Sequence, residues 1–278
     1  MIREAAKNGA DICLLPEVFI PGYSHTVGNF KQAEPLEGPT MSNLKDLAKE
    51  LKVYISGSII EKMGGDFYNT MIVIGPEGLL GTYHKKYVFS VEQKYWKRGK
   101  EVSIIHTKLG DIGLGICADM HYPKLWKQYA GKVNLILICS AWPCAPTGFK
   151  MRYAVHEEQL CKELPGQISM VLQVPTAYCN ACQPCEGKLP LGLGTMTCQG
   201  FSKIVDRGTI IASIDSGAEQ IIQATVETSD ERPKVDPSNF KKWIKYSMRE
   251  KIVKFMVETV AAWYARLYYQ YAKRKYKS

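Results

Sequence analysis

GLGICADMHYP, residues 113–123, is the stretch whose reading decides the fold. With Asp111 and Ile112 before it, the run DIGLGI over 111–116 has the length and apolar content of a short buried strand, its glycines admitting close neighbours. Cys117 follows at once. Pro123 then suits the first turn of a helix, which KLWKQYA continues with apolar residues at helical spacing. Cys117 is therefore expected at a strand-to-helix turn. Backbone N–H groups leaving such a turn, with the positive end of the helix dipole, favour thiolate over thiol and can hold an oxyanion. The same position also suits a buried cysteine acting as a small apolar residue, so this segment alone leaves both readings open.

Working outward, the whole chain narrows the class. Its 278 residues, 46% hydrophobic and 23% charged, suffice for one large core or a core plus an appendage. No run is long and uncharged enough to span a bilayer, and the N-terminal MIREAAKNGAD has no apolar signal core, so a cytoplasmic location is expected. The nine cysteines then read as reduced thiols. The net charge of +9 is local: from Arg232 onward there are thirteen Lys and Arg against three acidic residues. The basicity belongs to the tail, and no base-reading motif is present, which argues against a nucleic-acid partner.

Apolar periodicity predicts a helix over 2–9 ending at Gly9, a strand in DICLLPE, and a surface helix over 40–51 capped by a threonine or serine. Strands follow in 53–62, 68–78 and 79–89, then in 133–143. A helix over 151–163, a buried strand in ISMVLQVP (168–175), a hairpin around Arg207 and Gly208 and a last core strand over 218–227 complete the domain. This alternation is that of a layered α/β protein. TSDERPKVDPSN reads as a linker, dividing a domain over 1–227 from a helical extension over 228–278.

Glu17 lies at the rim of the core, where burial can raise a carboxyl toward the range of a general base; taken alone it reads equally as a solvated loop carboxylate. Lys85 at a strand end, Tyr23 in the irregular VFIPGYSH loop and Trp142 after the 133–143 strand are similarly ambiguous one by one. In order, however, LLPE (14–17), YHKKYVF (83–89), Glu92 with Gly99, GLGICADMHYP, SAWP (140–143) and GFSKIVDRG (200–208) resemble the nitrilase superfamily, the carbon–nitrogen hydrolases. The resemblance covers about residues 2–227. It implies a four-layer α-β-β-α sandwich, no cofactor, a small-molecule amide or nitrile substrate, and assembly into homo-oligomers.

It also implies site roles. Cys117 is the nucleophile, Glu17 the base, and Lys85 with the backbone N–H of Ala118 the oxyanion holder, as metal-free amide hydrolysis requires. Glu92 matches the family's second glutamate and would hold Lys85 and substrate in register. Tyr23, His121 and Trp142 are the further substrate-binding candidates. His121 stands where many amide-hydrolysing members have arginine, and ADMHYP lacks the tryptophan–glutamate pair usual in true nitrilases, so an amidase is favoured over a nitrilase. The family's first strand has no counterpart before residue 2. Either the start is an alternative or truncated one, or a sheet edge stands open, which favours aggregation or pairing with another chain; the missing strand is the argument for a non-catalytic relative kept for binding or assembly.

Two features lie outside this pattern. CNACQPC places Cys179, Cys182 and Cys185 at two-residue spacings near Cys198, compatible with a zinc or iron–sulfur site or with plain loop thiols, the latter preferred and no metal expected. The tail carries Trp243, Ile252, Phe255, Met256, Val260, Trp263 and Leu267 as an apolar stripe among lysines. Such a face must be covered, by a partner subunit first or an anionic membrane surface second.

Overall fold

Strands rich in apolar residues on both faces must be covered on both faces. In the computed structural model, which describes residues 1–24, 26–143, 152–182, 187–188, 195–198, 200–215, 217–229 and 231–276, they are. One sheet contains β1 (Ile12–Leu14), β2 (Tyr54–Met63), β3 (Asp66–Gly75) and β4 (Gly78–His84), side by side in that order, β1 parallel to β2 and the rest antiparallel. The other contains β5 (Ile104–Thr107), β6 (Gly110–Ile116), β7 (Leu135–Ser140), β8 (Thr176–Asn180), β9 (Lys203–Asp206) and β10 (Thr209–Ser213). Its spatial order is β10-β9-β8-β7-β6-β5, with β6, β7 and β8 parallel.

Period-two alternation in β3 joins the layers. Met71 and Val73 belong to the central core with Leu114, Ile116 and Leu137 of the second sheet. Ile72 and Ile74 point the other way, to Met41, Leu44 and Ala48 of the helix Pro39–Leu51. On the far side, the helix Arg152–Leu172 buries Leu160, Leu164, Ile168 and Leu172, one turn apart, against the second sheet. The result is the expected α-β-β-α sandwich. Gly115 sits where a Cβ would come within 2.5 Å of the Trp126 ring, so this glycine admits an aromatic side chain rather than backbone.

Several elements differ from expectation. The helix Pro39–Leu51 has Gly38 at its N-cap and no side-chain cap; the Thr40 N–H instead donates to Glu34 Oε2 at 3.1 Å. After Pro123 the α-helix lasts one turn, to Trp126, and Tyr129 is anchored by its hydroxyl to the Leu114 carbonyl at 2.8 Å. The 152–172 helix runs through Pro165 and absorbs ISMVL, so the strand begins only at Thr176. The strand expected over 218–227 does not form: these residues belong to no ladder. The neighbouring edge explains this: among the described residues β1 pairs only with β2, and a cleft of about 680 Å³ lies between β1 and this segment, lined by Cys13, Leu14, Ala177, Ile221 and Ile222. Among the described residues the outer edge of β1 carries no partner strand.

The tail is less separate than the 228–278 boundary suggested. Ser247 and Glu250 form a capping box for the helix Met248–Phe255, which passes through a π turn, Met256–Ala261, into the helix Ala262–Tyr276. Ala262, Ala265, Tyr269 and Ala272 are buried, and Trp243 is buried with its indole N–H on the Met120 carbonyl at 2.8 Å. Asp66, at the β2–β3 turn, accepts from the Tyr269 hydroxyl at 3.0 Å and from Lys273 at 2.8 Å. Partial burial would raise this carboxyl, but hydrogen bonds from Lys273, Lys97 and Tyr269 outweigh that and bring it down to about 2. The stripe from Ile252 to Leu267 faces solvent, so spacing identified the face but not its direction.

Cys13, Cys117, Cys139, Cys161, Cys179 and Cys182 are free thiols, whereas Cys198 is disulfide-bonded, against the expectation that all are reduced. Cys185 lies outside the described residues.

Candidate active site

Glu17 sits at the seam between the two sheets. The chain leaves β1 through Leu15 and Pro16, and the Glu17 N–H donates across to the Ser140 carbonyl at the end of β7, 3.2 Å away. Its carboxylate accepts three hydrogen bonds: Lys85 Nζ and Asn69 Nδ2 on Oε1, each at 2.7 Å, and the Ala141 N–H on Oε2 at 2.8 Å. The next residue, Val18, is held at φ 47°, a costly conformation for a β-branched residue, with its N–H on Ser58 Oγ at 2.8 Å.

Lys85 follows β4. Its own N–H donates to the Asn69 carbonyl and its carbonyl accepts from Gly99, both at 2.9 Å. Gly99 is required here: a Cβ would lie 2.2 Å from the His84 carbonyl oxygen. The ammonium reaches Glu17 Oε1 at 2.7 Å and both oxygens of Glu92 at 2.8 Å. Glu92 lies in the 3-10 turn Ser90–Lys94, where its Oε2 accepts from Phe89 N at 2.7 Å and its Oε1 from the Tyr23 hydroxyl at 2.5 Å. All three ionic side chains are buried.

Cys117 opens the 3-10 turn Cys117–His121 directly after β6, at φ 46°. Asp119 clasps the turn: its carboxylate accepts from Ile116 N at 2.9 Å, the Tyr83 hydroxyl at 2.8 Å and Tyr87 N at 2.9 Å. The turn thus holds Cys117 against both the β6 end and the segment that follows Lys85.

Burial and neighbouring charge set the protonation states. Burial would lower the Lys85 ammonium, but Glu17 and Glu92 outweigh it and hold it well above the ordinary lysine range. Burial raises the Glu17 carboxyl, opposed by Lys85 and reinforced by Glu92. Burial also pushes the Cys117 thiol well up, and the Glu17 charge adds to this against the pull of Lys85. The expectation that the turn favours thiolate is therefore corrected: the resting group is a thiol beside a carboxylate whose proton affinity is raised.

The outer residues line one side of this centre. Ala118 is buried in the first turn after Cys117, where helical N–H groups lack an intrahelical partner. His121 lies against Trp142 with centroids 4.7 Å apart and the rings tilted by 31°; its Nε2 meets Glu157 Oε2 at 2.9 Å and its Nδ1 the Ala118 carbonyl at 3.3 Å. Both ring nitrogens are engaged within the protein. The Trp142 N–H donates to Asn180 Oδ1 at 2.8 Å. Asn69, Asp119, Glu157 and Asn180 were not singled out from the sequence. A polar Asn69–Thr70 pair within an otherwise apolar strand, and an acid two residues past Cys117, were the available signals. Among the described residues no group of three or more His, Cys, Asp and Glu could hold a metal ion.

A six-plus-four-stranded sandwich covered by helices on both sides is the architecture of the nitrilase superfamily. The family model for carbon–nitrogen hydrolases matches residues 1–233, and the chain belongs to that family. It is 37% identical to the omega-amidase NIT2 of Mus musculus over 149 residues, which are 50% of this chain and 54% of that protein. The chain thus spans about half the length of the curated relatives it matches. Among solved structures it resembles a carbon–nitrogen hydrolase from Helicobacter pylori, with TM-score 0.69, 19% identity and 78% of each chain covered. It also resembles a mutant amidase from Nesterenkonia sp. AN1 showing covalent addition of the acetamide moiety of fluoroacetamide at its active-site cysteine, with TM-score 0.62, 18% identity and 77% of each chain covered. At such identities these structures speak to the fold.

Proposed function

We propose that this chain hydrolyses the carbon–nitrogen bond of a small amide or N-carbamoyl compound through a thioester on Cys117. Glu17 takes the Cys117 proton as sulfur attacks the carbonyl carbon. Lys85 and the Ala118 N–H steady the oxygen that becomes negative. The tetrahedral intermediate collapses, the carbon–nitrogen bond breaks, and Glu17 returns its proton to the departing ammonia or amine. Water, deprotonated by the same carboxylate, then attacks the thioester and releases the acid and the free thiol. Glu92 keeps the ammonium on this line, and its contact with Tyr23 extends that hold to the pocket wall.

The observation that supports the reading is the buried ion cluster in which Lys85 Nζ lies 2.7 Å from Glu17 Oε1 and 2.8 Å from Glu92, with the charges of all three acting on the Cys117 thiol. Burial raises the proton affinity of the Glu17 carboxyl, and a buried thiol needs a proton acceptor beside it. Amides are favoured over nitriles by the residues after Cys117 and by the named activity of the mouse relative. Because His121 is held by Glu157 and Ala118, recognition of a substrate carboxylate is assigned to other parts of the pocket.

The test is intact mass of the unaltered protein quenched during incubation with small amides, N-carbamoyl compounds and nitriles, beside ammonia release by it and by a Glu17→Gln variant. An acyl increment that maps to Cys117, with ammonia from amides, is expected. No adduct and no ammonia across the panel would overturn the reading in favour of a binding or assembly role.

A further inference from the structure

The tail helix from Met248 to Tyr276 has two faces of opposite kind. One packs on the core through Ala262, Ala265, Tyr269 and Ala272, none more than 4% exposed. The other presents Ile252, Phe255, Val260, Trp263, Leu267 and Tyr271, each between 47% and 73% exposed. Successive members are three or four residues apart except for the step from Phe255 to Val260. That step falls on the π turn Met256–Ala261, whose wider coil brings residues five apart over one another and keeps the stripe on one side.

Charge on this face has one sign. Arg249, Lys251, Arg266, Arg274 and Lys275 are exposed. The helix has two acids, and neither is on the outward surface: Glu250 is buried in its capping box, and Glu258 is half-buried against Lys254 and the Tyr122 hydroxyl. A second copy docked about a two-fold axis would set this basic face against itself. A nucleic acid would neutralise the charges and leave the hydrocarbon in water. An anionic bilayer satisfies both, taking the apolar side chains into the headgroup–acyl boundary and the bases among its phosphates, with Trp263 and Tyr271 suited to that depth. Among the described residues no helix is long and apolar enough to cross a membrane. We infer that this face rests on the surface of an anionic lipid bilayer, bringing the hydrolase site to the membrane without spanning it.

The test uses the full chain and the fluorescence of Trp263. The other four tryptophans, Trp96, Trp126, Trp142 and Trp243, are at most 8% exposed, so a change on adding lipid reports the tail. Vesicles of phosphatidylcholine with about three parts in ten phosphatidylserine are compared with phosphatidylcholine alone. The expected result is a blue shift with the anionic vesicles, quenching by lipids brominated in the acyl chain, and reversal at about 0.5 M sodium chloride. Arg249→Glu with Lys251→Glu is expected to weaken binding by at least about tenfold, since one basic residue near such a surface is worth about fivefold. Trp263→Phe should still co-sediment with the vesicles while losing the spectral change, which separates binding from the probe. Absence of co-sedimentation with anionic vesicles, or equal binding to neutral ones, would overturn the inference. So would self-association abolished by Leu267→Ser with no lipid binding, which would assign the face to a second copy.

Discussion

The Glu17–Lys85–Glu92 cluster and the outer face of the tail helix are opposites in the same molecule. In the first, three ionic side chains are no more than 1% exposed; in the second, Trp263 is 62% exposed. Each inverts the usual partition of charged and apolar residues. They are tolerated for different reasons. The buried charges satisfy one another, Lys85 meeting three carboxylate oxygens within 2.8 Å, so removing one partner leaves the others uncompensated. The exposed hydrocarbon makes few demands on the fold, because the opposite face of the same helix supplies the anchoring. The difference separates a site whose function is tied to its stability from one whose function is nearly independent of it.

Substitutions can break that contrast, beginning with the largest effect. Cys117→Ala should lower ammonia release by about 10⁴-fold or more while leaving thermal unfolding close to the parent, measured by steady-state assay and calorimetry. Lys85→Met should leave Glu17 and Glu92 facing each other and destabilise the fold by about 3–5 kcal/mol in a urea titration. An unchanged midpoint would show that the cluster is not coupled to stability. On the tail, Tyr269→Ala removes a buried ring and its bonds to Asp66 and Phe67, and should cost about 3 kcal/mol.

The pH dependence gives a smaller handle on the same docking. Asp66 is depressed from 3.8 to about 2 in the folded chain, so its contribution is present above the unfolded value and is lost as pH falls through about 2. Asp66→Asn should remove about 1 kcal/mol at neutral pH, allowing for solvent screening, and flatten the acid limb of the stability curve. At the small end, Leu267→Ser should shift stability by no more than about 0.5 kcal/mol. A larger loss would mean that the outer face is already covered in solution.

Much of the centre was legible because its residues follow strand ends in a recognisable order. Glu17 and Cys117 each stand just past an apolar run and Lys85 just past β4, and the folded sheet brings Lys85 Nζ to 2.7 Å from Glu17. Asn69 and Asp119 were not legible, because their meaning depends on register: Asn69 matters only once β3 lies beside the start of the Lys85 segment. The strand expected in ISMVLQVP is part of the helix because a short apolar run fits either period. Residues 219–228 have strand composition, but a ladder needs a neighbour within hydrogen-bonding distance, and the β1 edge stands across a cleft.

The seam position of Glu17 carries one more consequence. Its amide meets Ser140, its carboxylate meets Ala141, and its other oxygen meets Asn69 and Lys85, so the surroundings of Glu17 are assembled from residues on both sides of the 95–103 connection. Each half of the polypeptide alone holds an incomplete set of groups. Turnover would then be an all-or-none property of the docked whole, and two separately produced fragments cut near Lys100 would be inert singly and regain it only on recombining.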